Sequence, residues 1–204
     1  MKKNKAYVKK VKSYPAKGLC LFVVIIFAFL WSCGSDDEDS NTVVLEEPEL
    51  NEPIIQSPTP LIHLADNLDE QDQLGWCIDT QGNGFSENLH THSCKPTGGD
   101  VQFIYNEETL QICSVEFTGF CIEMLGGPAE GMSLNLVESN TDSSDQKFIY
   151  DENSGEFNPE ADTNLCLAAG NTSGVAGIYM FRSLTLELSS ETEESLKKWV
   201  IVTN

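Results

Sequence analysis

The chain has 204 residues, with 32 acidic against 12 basic side chains and a formal net charge of −20. Nucleic acid is excluded as a partner, because its phosphates must be neutralised by basic side chains, and so is electrostatic attraction to anionic lipid. Solubility and self-repulsion account for the charge without any special function.

Residues 1–32 hold Lys2, Lys3, Lys5, Lys9, Lys10, Lys12 and Lys17 but no acid, and an apolar run extends from Leu19 to Trp31. A basic stretch followed by about a dozen apolar residues is the layout of a secretion signal. The run is shorter than the roughly 20 residues that a spanning helix needs. Without this leader only Lys95, Lys147, Arg182, Lys197 and Lys198 stand against all 32 acids.

Leu30-Trp31-Ser32-Cys33 resembles the lipobox of bacterial lipoproteins. That resemblance implies a signal peptide over 1–32, cleavage before Cys33 and acylation of Cys33, with the acyl chains as the membrane anchor. The acidic cluster Asp36-Asp37-Glu38-Asp39 resembles the export signal of Bacteroidota lipoproteins. It implies an exported protein displayed on the outer face of the outer membrane. Residues 33–60 combine many charges with Pro48, Pro53, Pro58 and Pro60, and are expected to form a disordered acidic tether.

From 61 to 204 the composition is that of one globular domain. Strand-like runs at 101–105, 147–150 and 199–202 are separated by turn-forming clusters; only 190–198 suggests a short turn of helix or else an acidic loop. The organising feature is a repeat. Gly75-Trp-Cys77-Ile-Asp79 returns as Gly119-Phe-Cys121-Ile-Glu123 and as Asn164-Leu-Cys166-Leu-Ala168, so the cysteines lie 44 and 45 positions apart. Phe103-Ile-Tyr-Asn106 returns as Phe148-Ile-Tyr-Asp151 after 45 positions, and Trp199 takes the aromatic place in the third copy. Three mostly β units of this length predict an all-β fold, a β-trefoil closed around a pseudo-threefold axis. A two-sheet sandwich would not require the repeat.

The cysteine-aliphatic-acid openings, the later aromatic and Asp145-Gln146-Lys147-Phe148 resemble the repeats of ricin-type lectins. The resemblance covers 61–204 and implies carbohydrate as the partner. In that family an aspartate after the opening cysteine accepts hydrogen bonds from sugar hydroxyls, and a ring about fifteen residues later stacks on the sugar. Carried onto this chain, the first repeat supplies Asp79 for the carboxylate, His92 for the ring, His90 beside it and Asp100 from the next turn. In the second repeat Glu123 and Asn135 are candidates, but Val137 occupies the ring position. In the third, Ala168 lacks the acid although Phe181 offers a ring, so no ordinary sugar site is expected there.

Two readings of these residues stay open. Asp79 also opens the turn Asp79-Thr-Gln-Gly-Asn-Gly84, which its carboxylate is placed to cap. His90 and His92 share one face of a strand, a metal-like spacing, but no further ligand set accompanies them and no metal or cofactor is expected.

An exported protein permits disulfides. The resemblance pairs Cys77 with Cys94, and Cys113 with Cys121 is placed to staple the junction of repeats one and two. Cys166 is left as a buried free thiol, its counterpart position falling near Ser183. No serine-histidine-acid elbow, phosphate loop or metalloprotease helix is present, so the expected function is glycan capture rather than catalysis. The alternative is a trefoil that serves as a protein-interaction or inhibitor scaffold.

Overall fold

The computed structural model describes residues 50–203, except 69 and 71; the leader and Cys33 lie outside the described residues. Three units of four strands follow one another. The first is β1 (Leu61–Leu64), β2 (Trp76–Thr80), β3 (Leu89–Ser93) and β4 (Phe103–Asn106). The second is β5 (Gln111–Ser114), β6 (Phe120–Glu123), β7 (Asn135–Glu138) and β8 (Phe148–Asp151). The third begins with β9 (Glu156–Pro159) and β10 (Leu165–Ala169). It then inserts a hairpin, β11 (Gly174–Ala176) and β12 (Tyr179–Arg182), before β13 (Leu184–Leu188), the short helix α1 (Glu194–Lys197) and β14 (Trp199–Val202).

Pairing makes the threefold explicit. The last strand of each unit pairs antiparallel with the first strand of the next: β4 with β5, β8 with β9, and β14 with β1. The two middle strands of each unit pair with each other, as β2–β3, β6–β7 and β10–β13. This is a β-trefoil. Joining β14 to β1 closes the ring of repeats and pairs the edges of the first and last strands.

Equivalent positions build the core. Phe103, Phe148 and Trp199 are fully buried, as are Ile62, Ile112 and Phe157 from the first strand of each unit. Tyr105 donates its hydroxyl to the Phe148 carbonyl at 2.9 Å, and Tyr150 does the same to Trp199 at 2.8 Å. Each tyrosine thus ties its repeat to the next. The third copy has Ile201 at this place and makes no such link. The glutamine of the resemblance motif is likewise structural. Gln146 is buried and joins Gln111, the Glu138 carbonyl and the Glu123 carboxylate.

Residues 51–60, assigned to the tether from sequence, lie along the first repeat. The Ile54 amide donates to the Gln73 carbonyl at 2.7 Å, and the Ser57 hydroxyl to Lys95 O at 2.9 Å. Ile55 packs against the cluster of Leu61, Cys77, Cys94 and Val101. Gly75 accepts this segment closely: it has a φ of +77°, and a Cβ there would stand 2.6 Å from Pro53 Cβ.

Both disulfides form as expected, Cys77–Cys94 and Cys113–Cys121, and Cys166 is free and buried. Burial pushes the Cys166 thiol up to about 11, with the nearby Glu156 carboxylate adding to the effect. A thiolate is the reactive species, so Cys166 is expected to resist alkylation in the native chain and to react once the chain is denatured. Cys77–Cys94 closes a loop of 17 positions, and its removal by paired serine substitutions is expected to lower stability by about 2–4 kcal/mol in a denaturant titration.

Candidate functional site

Strands β2 and β3 bring the candidates of the first repeat together. Their register sets Asp79 opposite His90 and Cys77 opposite His92. Cys94 follows β3 directly, and its disulfide to Cys77 fixes the start of the loop that carries Lys95. Asp100 approaches from the short 3₁₀ turn Gly99–Val101. Four of the residues singled out from sequence therefore form one cluster: Asp79, His90, His92 and Asp100.

Lys95 occupies its centre. The ammonium lies 2.9 Å from Asp79 Oδ2 and 2.9 Å from Asp100 Oδ2. His90 Nε2 and His92 Nδ1 stand 3.7 and 3.8 Å from the same Asp79 oxygen. The Asp79 side chain is only 1% exposed, so it lies beneath the site and faces the lysine rather than solvent. Apart from the Lys95 ammonium, neither carboxylate oxygen of Asp79 has a hydrogen-bond partner among the described residues. The turn that Asp79 opens is closed instead by the Thr80 hydroxyl, which donates to the Gly84 carbonyl at 2.9 Å. Capping is therefore not the role of Asp79. Its negative charge, kept from water, is compensated by Lys95.

Electrostatics follow the geometry. Burial alone draws the Lys95 ammonium down, but Asp100 and Asp79 outweigh it and hold its pKa above the usual lysine value. His92 is shifted below 6.5, chiefly by burial; its hydrogen bond to the Ser93 carbonyl and the Asp79 charge offset this only in part. Nδ1 makes that bond at 2.9 Å. A carbonyl can only accept, so Nδ1 carries the proton and Nε2 of the neutral ring is left as an acceptor. His63, buried on β1, is shifted in the same direction for the same first cause.

Two histidines with lowered pKa make the unfolded chain bind more protons than the folded one below 6.5. Their contribution to stability is complete above 6.5 and is lost as the pH falls through the lowered values. Thermal denaturation between about pH 7.5 and pH 5.5 is expected to show a falling midpoint, and His63→Gln with His92→Gln should flatten the slope.

Above the cluster lies a groove of about 460 Å³. One wall is Gly82, Asn83, His90, His92 and Lys95; the other is Ala176, Gly177, Ile178 and Tyr179. The second wall belongs to the hairpin inserted in the third repeat. Strand β12 pairs with β3, setting Phe181 opposite His92 and Arg182 opposite Thr91. The ring of Tyr179 meets His92 edge-on at 5.6 Å, and Phe181 stacks on His90 at 6.0 Å with the planes 27° apart. Phe181, assigned to the third repeat from sequence, thus serves the first. Ser183 likewise does not hold the Cys94 place: Cys166 stands opposite Glu187 as Cys77 stands opposite His92, which puts that place two residues on, at Ser189.

The other two repeats differ. Glu123 stands opposite Asn135 in the register, but its carboxylate accepts from the core amide of Gln146 at 2.7 Å. Neither residue lines the first-repeat groove. In the third repeat Thr185 and Glu187 take the register places of His90 and His92. They line a cavity of about 410 Å³ with Asn171, Thr192 and Leu196. Among the described residues, no three His, Cys, Asp or Glu side chains are arranged to hold a metal.

No protein-family model matches the chain, and no curated protein matches its sequence. Solved structures do resemble its fold. The agglutinin from Abrus precatorius superposes with a TM-score of 0.51 at 11% identity, covering 72% of this chain and 48% of its own. This chain therefore spans about half the length of that protein. The mdaA-1 domain gives 0.51 at 12% identity, covering 75% of this chain and 93% of its own. The C-half of an earthworm R-type lectin, solved with GalNAc, gives 0.49 at 12%, covering 72% and 100%. The two superpositions at 0.51 agree with the trefoil topology derived from strand pairing.

Proposed function

We propose that this protein binds carbohydrate in the groove between β3 and the β11–β12 hairpin, and that it does so as a lipoprotein on the cell surface. The groove itself carries the reading. One wall offers the imidazoles, the Lys95 ammonium and the Asn83 amide, while the other offers the Tyr179 ring and aliphatic carbon. A pyranose has the matching duality, hydroxyls on its rim and C–H patches on its faces. Asp79 acts through the residues above it, holding Lys95 and the histidine edge in place. Asp100 shares the hold on Lys95.

Binding rather than catalysis is the activity we assign to this trefoil. The basic leader and the Leu-Trp-Ser-Cys33 sequence support export and acylation, with residues 34 to about 50 as the span between anchor and domain. One observation favours a second reading, a protein-interaction scaffold: the carboxylate of Asp79 is covered and cannot itself meet a sugar.

A glycan-array screen of the chain, expressed with its disulfides, tests the first reading beside a His90→Ala, His92→Ala variant. Binding that is lost in the folded variant supports the groove; binding that survives would move the site elsewhere. Silence from both would favour the scaffold.

A further inference from the structure

We infer that the β11–β12 hairpin is the specificity arm of this groove, and that the glycan it selects carries an acyl group seated against Ile178 and Tyr179. The inference rests on the carbohydrate-binding reading of the same groove.

The hairpin has a local chemistry that its fold does not explain. Ala176 pairs with Tyr179, so Gly177 and Ile178 form a two-residue turn. Gly177 has a φ of +69° while Ile178 does not take a positive φ, the pattern of a type II′ turn opened by glycine. The residue after that glycine is ordinarily Asn, Asp or Ser, because it projects into water. Here it is Ile178, 87% exposed. It adds nothing to the core, yet it lines the groove with Ala176 and Tyr179. A local rule broken without a structural gain points to a functional contact.

The arm is fixed in place. Besides its pairing with β3, the Arg182 guanidinium lies 4.5 Å over the Trp76 ring and donates to Gly170 O at 2.9 Å and to Glu70 at 3.1 Å. The Met180 amide donates to the Ser93 hydroxyl at 3.0 Å. The apolar wall is thus preformed, so little ordering is required when a ligand arrives. A sugar bearing only hydroxyls can meet the polar wall with its rim and the Tyr179 ring with a C–H face, but it carries no apolar substituent to cover Ile178. An amide- or ester-linked acyl group brings a methyl to Ile178 and a carbonyl acceptor within the same ligand.

The test uses the full chain titrated with N-acetylglucosamine and N-acetylgalactosamine against glucose and galactose, with 6-O-acetylgalactose separating ester from amide. At least one acylated sugar is expected to bind about tenfold tighter than its parent, the scale of one small apolar group in a matched pocket. Ile178→Ser should remove that preference while leaving the melting temperature unchanged, since the side chain is 87% exposed and outside the core. Val175→Ser, also exposed but outside the groove, should preserve it. Equal affinity for acylated and parent sugars would overturn the inference while the carbohydrate reading stands. Failure of all five to bind would overturn both.

Discussion

Replacing Lys95 with methionine is expected to destabilise the protein by about 3–5 kcal/mol, the scale of a buried ion pair that loses one partner. Asp79 is 1% exposed and has no hydrogen-bond partner besides the Lys95 ammonium, so its charge depends on that group 2.9 Å away. Methionine keeps much of the length and apolar volume of the lysine, which isolates the charge. The double variant with Asp79→Asn should regain most of the loss, because no buried charge is then left unpaired. Urea titrations of the four proteins form a double-mutant cycle. A single Lys95→Met variant within about 1 kcal/mol of the parent would show that Asp79 is held some other way.

Trp199→Ala is expected to be as damaging, about 3–5 kcal/mol, since it empties one of the two buried tryptophan sites of the core. The loss acts at the closure of the trefoil. Trp199 sits on β14, which pairs with β1, and its indole donates to the Leu167 carbonyl at 2.9 Å. The repeat supplies its own control. The equivalent residues are Phe103 and Phe148, so Trp199→Phe should fold and lose only part of this, about 1–2 kcal/mol for the hydrogen bond and the unfilled volume. Equal losses for the two variants would mean that the three aromatic positions are not interchangeable parts of one core.

Much of this was legible in the sequence because the fold is periodic. The recurrences of Cys77 and of Phe103 gave three units. The same alignment points to Asp79, His90, His92 and Asp100 as one cluster; the β2–β3 register assembles the first three, and Lys95 ties Asp100 to them. What escaped was contact between repeats. Spacing alone aligns Phe181 and Ser183 in the third repeat with the places that His92 and Cys94 hold in the first. An insertion broke that alignment. The cysteine-to-aromatic interval is 26 positions from Cys77 to Phe103 and 27 from Cys121 to Phe148, but 33 from Cys166 to Trp199. Those extra residues are the signal of the β11–β12 hairpin, though their count alone does not say that β12 pairs with β3, about 90 positions away.

Lys95 escaped for a different reason. It is the first base after the leader and directly follows Cys94, but sequence does not reveal which carboxylate a lone lysine meets. Nor did proline and charge disclose that residues 51–60 dock on Gly75. Composition measures the burial a segment achieves alone, and here the partner surface is supplied by the domain.

The most direct test of the central claim follows the three histidines while glycan is added. His90 and His92 line the groove, and His63 is buried on β1 away from it. Imidazole resonances are to be recorded during titration with the best ligand from the array. With glycan bound in the groove, the signals of His90 and His92 shift saturably with the same dissociation constant, while that of His63 stays in place. Saturable binding that leaves His90 and His92 unmoved would contradict that claim.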